Sequence, residues 1–269
     1  MSEAPKSEAP KDEGQVVTYE LEGDVALIGL NRPDKRNAMS PALQKQLLEA
    51  ALRAQDEAKC GVLFGHGENF CAGLDLRWAA GQWSDDKKAR NPYSQRIDPR
   101  DVMARGNIPF VGALHGATLG GGFENACSMH VRVGDETTYF GLPEGQRGIY
   151  IGGGGSVRIA RVLGFSRMQD MMLTGRVVKA EEGERWGLLH YVVPAGQHLA
   201  KAKEIAHRIA KNAPLTNFAI TNALPRLQDM SYSDGLWFER IMGEYVRSPE
   251  SIERLRAFLD KSAPRIKPT

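Results

Sequence analysis

Long apolar runs are absent from this 269-residue sequence. No stretch approaches the ~18 to 20 apolar residues of a membrane span, and the N-terminus lacks the basic-then-apolar order of an export signal, so a soluble, unexported protein without membrane partners is expected. Cysteine is scarce: Cys60, Cys71 and Cys127 are odd in number, lie in apolar surroundings and show no C-x-x-C spacing. Neither a disulfide framework nor a zinc site is implied, and a reducing cytoplasm fits best. An excess of one charge is missing too. Lys and Arg total 35 against 33 Asp and Glu, a net charge of +2, with no block of like charge to serve as a polyanion-binding arm. Nucleic acid is therefore not an expected partner.

What is there is a chain able to bury a core. Hydrophobic residues make up 42% of it, and the length fits one large domain or one domain with a smaller appendage. The opening "SEAPKSEAPK" is a tandem five-residue repeat of polar residues and proline, followed by Asp12-Glu13-Gly14. Its apolar content is too low to offset the entropy of ordering, so residues 1 to 14 are expected to form a disordered tail. "QVVTYELEGDVALIGLNRP" places two strand-like runs around the turn signal Glu22-Gly23-Asp24 and predicts a hairpin. Ser40 as N-cap and Pro41 as first helical residue open an amphipathic helix with Leu43, Leu47, Leu48, Ala51 and Leu52 on one face.

Apolar "GVLFG" (61 to 65) and "PFVGALHG" (109 to 116) read as buried strands, each running through a glycine-containing turn into a helix. The polar segment 79 to 100, flanked by Trp78, Trp83 and Tyr93, reads as a loop or short helical insertion. "VRVGDETTYFGLPEG" suggests two more short strands. Beyond residue 195 four helical segments follow, the last opened by Ser248-Pro249-Glu250-Ser251. Several apolar helix faces would be exposed in a monomer, so packing between copies through this cluster is expected.

Four glycine-rich turns compete for meaning: "GHGENFCAGLDL" (65 to 76), "GATLGGGFENAC" (116 to 127), "FGLPEG" (140 to 145) and "GIYIGGGGSV" (148 to 157). None carries the lysine of a phosphate-binding loop, and no clean Gly-x-Gly-x-x-Gly with a following acid is present, which argues against nucleotide hydrolysis and nicotinamide chemistry. Gly120, Gly121 and Gly122 stand at a helix start, where each costs roughly 1 kcal/mol against alanine in helix propensity. A helix N-terminus of bare backbone offers unpaired N–H donors and a favourable dipole to a ligand oxygen, one half of an oxyanion hole. The Cys71 to Leu76 turn is a candidate for the other half. If Gly121 donates, Glu124, three residues on, projects toward the same site as a candidate general base or acid, and Glu144 is a second candidate if the fold joins the two. His66, His115 and Cys71 lie beside these turns and read as structural, and Phe238 and Tyr245 as helical core or subunit contact.

"LNRPDKRNAMS", "FCAGLDL", "ALHGATLGGGFENAC" and "FGLPEG" stand in an order and spacing that resembles the crotonase superfamily, which includes enoyl-CoA hydratases and isomerases; the resemblance covers about residues 16 to 262. It implies an α/β fold, a crotonase-like spiral of strand-strand-helix turns over 15–195, with a C-terminal all-helical region over 196–269 that builds homotrimers, often paired into homohexamers. It places the oxyanion-hole N–H groups on Leu74 and Gly121, where they would hold the thioester oxygen of an acyl-CoA, and the two hydratase acids on Glu124 and Glu144. In that reading Glu124 deprotonates water for attack at the β carbon and Glu144 gives a proton to the α carbon. CoA enters as part of the substrate, with no separate cofactor and no metal. Lys35, Arg36 and Arg77 become candidate phosphate contacts, and the backbone of Ala72, Gly73, Leu74, Asp75 and Leu76 a candidate adenine pocket.

Two departures from the family pattern bear on the substrate. The usual Ile-Pro-Gly is replaced by Tyr150-Ile151 and then four glycines, Gly152 to Gly155, which implies a different backbone course for the pocket wall near the acyl group, and Trp78, Trp83 and Tyr93 at the 79 to 100 segment point away from a simple short-chain fatty acyl group. Hydration of a 2-enoyl-CoA is the leading expectation. Alternatives with the same site are hydration and carbon-carbon cleavage of an aromatic enoyl-CoA, isomerisation, or thioester hydrolysis. A non-catalytic scaffold or RNA-binding member of the fold is the alternative from a different class, against which stand the two glutamates and the lack of a strongly basic composition.

Overall fold

The turn signal Glu22-Gly23-Asp24 closes a hairpin of two six-residue strands, β1 (Val17–Glu22) and β2 (Val25–Leu30), paired antiparallel from Val17 opposite Leu30 to Glu22 opposite Val25. The computed structural model describes residues 13–82, 97–260 and 262. Nearly all of the expected tail, together with Trp83 and Tyr93, lies outside the described residues. After a 3-10 turn, Pro33–Lys35, comes α1 (Pro41–Glu57), capped as the sequence signals: the Ser40 hydroxyl accepts the Leu43 N–H at 3.2 Å, and Pro41 takes a position that needs no N–H. Its buried stripe is Leu43, Leu47, Ala50, Ala51 and Ala54. Leu48 is only half-buried and Leu52 is 44% exposed. Each lies about 100° round the helix from Leu47 or Ala51, which carries it off the core-facing stripe.

The chain continues through β3 (Cys60–Gly65), α2 (Leu76–Gln82), α3 (Pro99–Arg105), β4 (Phe110–Leu114), β5 (Ala117–Leu119), α4 (Gly121–Ala126), β6 (Val131–Asp135), β7 (Tyr139–Gly141) and α5 (Glu144–Arg147). It ends with α6 (Gly155–Leu163), α7 (Phe165–Thr174), β8 (Val177–Lys179), α8 (Ala180–Arg185), β9 (Tyr191–Val193), α9 (His198–Ala210), α10 (Pro214–Leu227), α11 (Tyr232–Tyr245) and α12 (Pro249–Leu259). The large sheet has the order β1-β2-β3-β4-β6-β9, parallel from β2 onward, and a small sheet has the order β5-β7-β8. Strand β5 stands where the sequence shows only a turn. Its three residues pair with β7, so β4-β5-α4 and β6-β7-α5 are successive strand-strand-helix units, each lending one strand to each sheet.

The central strands are buried on both faces, which is why they read as unbroken apolar runs. Ala26, Ile28, Leu63, Phe110 and Leu114 enter the main core with α1 and α4. Their neighbours Val25, Leu27, Val62, Val111 and Ala113 face the other way, onto Ala202, Ile205 and Ala206 of α9. The first of the four C-terminal helices is thus packed on the large sheet, whereas α11 and α12 bury no residue. No helix among the described residues is long and apolar enough to cross a membrane.

The segment that follows β3 is knitted to strand β5 and to the segment between β2 and α1. Cys71 bridges Thr118 and Met39 bridges Leu74, through bonds from Cys71 N to the Ala117 carbonyl, Leu119 N to the Cys71 carbonyl and Met39 N to the Gly73 carbonyl, at 2.9, 3.0 and 2.7 Å. Leu47, at the centre of α1, is fully buried in the main core. Leu47→Ala is expected to cost about 2–5 kcal/mol of stability, measured as a drop in the denaturant midpoint.

Candidate active site

The glycine triplet that opens α4 divides by function. Gly120 has φ +47°, a left-handed conformation that favours glycine, and a Cβ there would stand 2.9 Å from Glu144 Oε1. A Cβ on Gly122 would overlap the Cys71 carbonyl. Gly121 differs: a Cβ there would make only ordinary contacts, 3.7 Å from both Leu74 N and Met39 Cγ. The fold therefore has room for a methyl group at position 121, and that methyl would lie beside the Leu74 N–H. Neither the Gly121 N–H nor the Leu74 N–H has an acceptor among the described residues. Gly73, with φ +94° and little space against the Leu119 carbonyl, is the turn residue that presents Leu74.

Glu124, on the same short helix, is 5% exposed. Its Oε1 accepts the N–H groups of Gly153 at 2.6 Å and Gly155 at 2.9 Å, and its Oε2 lies 3.5 Å from Arg100 Nη1. A Cβ on Gly155 would intrude on the Glu124 side chain, so this end of the four-glycine run is needed for the approach. Glu144 begins α5 and is 4% exposed. No ion pair with Arg147 is found among the described residues, and Oε2 is buried without a hydrogen-bond partner. Burial pushes the Glu144 carboxyl above the usual carboxylate range; the bond from its own N–H pulls the other way, and the charge of Glu124 adds to the rise. Two glutamates thus meet opposite surroundings, one supplied with donors and one deprived of them.

Both acids line one cavity of about 360 Å³ together with Leu74, Gly121, Trp78, Arg100, Tyr150 and Gly152. The structure therefore brings together the two acids and the two backbone donors singled out in the sequence. Lys35, Arg36, Ala72, Gly73, Asp75, Leu76 and Arg77 do not line it, and Gly73 is buried. The Ala72 N–H bonds to the Arg36 carbonyl at 2.9 Å, while Lys35, Arg36, Leu76 and Arg77 are exposed. The Asp75 carboxylate is engaged within the protein: it accepts the N–H groups of Arg77 and Trp78 at the start of α2 and pairs with buried Arg32 at 3.1 Å.

Other residues near the glycine turns serve the fold. His66 bonds Thr18 Oγ1 at 2.8 Å, and His115 bonds the Gly67 carbonyl and stacks on His198 with ring centres 4.3 Å apart. Cys71 donates to the Asn37 carbonyl, and burial pushes its thiol up to about 12, which leaves no nucleophile there. Sequence reasoning passed over Arg100 because it lies in the polar 79 to 100 segment. A signal for it was present in Asp98-Pro99, an N-cap followed by proline at the first helical position, which is how α3 begins.

Comparison with known proteins gives a consistent picture. The model of the enoyl-CoA hydratase/isomerase family matches residues 20–268. An enoyl-CoA hydratase of Mycobacterium tuberculosis is 32% identical over 260 residues, covering 95% of this chain and 98% of its own. A mevalonyl-coenzyme A hydratase of Aspergillus fumigatus is 35% identical, covering 91% and 92%. The crystal structure of an enoyl-CoA hydratase from Bacillus anthracis superposes with a TM-score of 0.84 at 30% identity, covering 92% of this chain and 97% of that one.

The surroundings of Glu144 have a consequence for stability. A carboxyl raised in the folded protein holds its proton more tightly than in the unfolded chain, so its contribution is complete below the unfolded value of about 4.3 and is lost as pH rises through the folded one. Glu144→Gln is expected to gain stability relative to the parent across that rise, read from urea midpoints at stepped pH. A difference independent of pH would contradict it.

Proposed function

We propose a reaction for a chain that belongs to the enoyl-CoA hydratase/isomerase family, within the crotonase superfamily: addition of water across the conjugated double bond of a 2-enoyl-CoA. The protein is a hydro-lyase with the α/β crotonase fold. The observation that carries the detailed reading is the cavity in which two unpaired N–H groups stand with two acids in opposite surroundings.

In this reading the thioester oxygen accepts from Leu74 and Gly121, whose N–H groups offer the most to the negative charge that develops there. Water attacks the β carbon and passes a proton to Glu124, which enters the step as an acceptor. The electron pair of the double bond moves to the α carbon through the enolate, and Glu144, whose carboxyl burial raises above the usual range, supplies the proton that completes the product. Glu124 ends with one proton more and Glu144 with one fewer, so transfer between them, directly or through solvent, resets the site. Hydration is redox-neutral and its charge is met by backbone and carboxyl groups, so the step requires neither a separate cofactor nor a metal. Lys35, Arg36 and Arg77 would meet the CoA phosphates, and the 72 to 76 backbone the adenine.

The exposed apolar side chains of the last three helices, Ile220, Leu224, Trp237, Leu255 and Phe258 among them, support assembly into a trimer or a dimer of trimers. The three buried free cysteines support a reducing cytoplasm. A second reading, hydration coupled to cleavage of an aromatic acyl-CoA, is favoured by Trp78 and Tyr150 on the cavity wall.

A turnover screen with aliphatic and aromatic enoyl-CoA thioesters and product analysis separates these readings. Glu124→Gln and Glu144→Gln are each expected to lower hydration about 10²- to 10⁴-fold with CoA-ester binding largely kept; full activity in both would sink the proposal. Gly121→Ala, for which the fold has space, is expected to keep the parent's melting temperature while losing on the order of 10²- to 10³-fold in rate.

A further inference from the structure

Arg100 is 7% exposed, stands on the cavity wall and has no part in the steps above. Asp98 holds it in two ways. The carboxylate caps α3 by accepting the Arg100 N–H at 2.8 Å, and it takes the guanidinium as a fork, with Nε at 2.8 Å from Oδ1 and Nη2 at 2.7 Å from Oδ2. One carboxylate thus serves as cap and as bidentate partner, which fixes the guanidinium plane to the start of the helix. The third nitrogen, Nη1, is left facing Glu124 Oε2 at 3.5 Å. Gly153 provides the space, since a Cβ there would overlap the guanidinium.

A buried arginine needs a counter-charge, and Asp98 supplies one with two of the three nitrogens. The remaining arm is aimed at the Glu124 oxygen that has no backbone donor. Gly153 and Gly155 hold Oε1 from one side of the carboxylate and Arg100 meets Oε2 from another element, so the plane of the acid is defined by α3 and the glycine run together. The other ionisable groups around Glu124 are Glu144 on α5, the Cys127 thiol on its own helix, and Arg158 on α6, whose guanidinium is held by Asp101 and the Gly153 carbonyl. The Cys71 thiol lies near Arg100. Among the described residues Arg100 provides the cation within 4 Å of Glu124.

We propose that Arg100 is a positioning residue: through Nη1 it orients Glu124 Oε2 toward the cavity. The kinetic part of this inference rests on the hydration reading; the contact between the two side chains does not.

The test uses the full-length protein with Arg100→Gln and Arg100→Lys, the second retaining a charge if the first folds poorly. The values of kcat and KM are measured on crotonyl-CoA or cinnamoyl-CoA, whichever the parent hydrates. The glutamine variant is expected to lose about 10- to 100-fold in kcat with KM little changed, because the guanidinium that fixed the plane of the acid is gone. Lysine, lacking the fork, should restore only part of the rate. In parallel, the carbon-13 spectrum of labelled glutamate carboxyls, with Glu124 assigned through Glu124→Gln, should show a displaced Glu124 resonance in the glutamine variant without any substrate. Unchanged kcat and KM with an unmoved Glu124 resonance, and only thermal stability lost, overturn the proposal. If the parent hydrates neither thioester, the hydration reading fails, while the carboxyl resonance still decides whether Arg100 acts on Glu124.

Discussion

A carboxylate removed from water has to be met by donors, and the burial of Glu124 at 5% exposure imposes that demand on much of the surrounding chain. Its donors come from two places that are distant in sequence: the Gly153 and Gly155 backbone and the Arg100 side chain. Each demand propagates. Gly155 has to be bare for the acid to approach, Gly153 has to be bare for the guanidinium to fit, and Arg100 has to be anchored by Asp98 at the start of α3. The four-glycine run is then a consequence of the buried acid as much as a feature of its own.

The same economy of side chains governs the start of α4. Gly120 and Gly122 are required by their neighbours, Glu144 and the Cys71 carbonyl. Gly121 is not, and the space that a methyl group would take adjoins the unpaired Leu74 N–H. Absence of steric need at one position in a run of three is informative, because a helix start would ordinarily gain stability from a residue with better propensity or capping. Bare backbone that the fold does not require leaves an oxygen-sized approach to two donors. The segment after β3 holds those donors in register, through the Cys71–Thr118 bridge to β5 and the Met39–Leu74 bridge to the segment before α1.

Glu124 and Glu144 are chemically identical residues on one cavity, and environment alone distinguishes them. Glu144 keeps an oxygen with no partner, and burial raises its carboxyl; Glu124 is surrounded by donors. Such a pair provides a proton donor and a proton acceptor without any difference in sequence between the two.

Much of this architecture was legible in the sequence because it is locally encoded. Glu22-Gly23-Asp24 closes the hairpin, Ser40-Pro41 opens α1, and the four C-terminal segments are helices where their periodicity placed them, since each depends on residues within a turn or two. The motifs also disclosed the family, the two acids and the glycine donors as candidates. Strand β5 was not legible: three residues carry no periodicity, and they become a strand only because β7 lies beside them. Leu52 illustrates a similar limit, since its apolar character does not say which side of α1 faces the core. The sequence by itself determined most of the elements, the caps of α1 and α12 and the candidates for the chemistry, because those follow from short-range sterics and residue type. Only the tertiary structure decided that Glu124 and Glu144 share a cavity, that burial raises Glu144, and that Arg100, 24 residues from Glu124, reaches its carboxylate, because proximity and desolvation arise when distant segments pack.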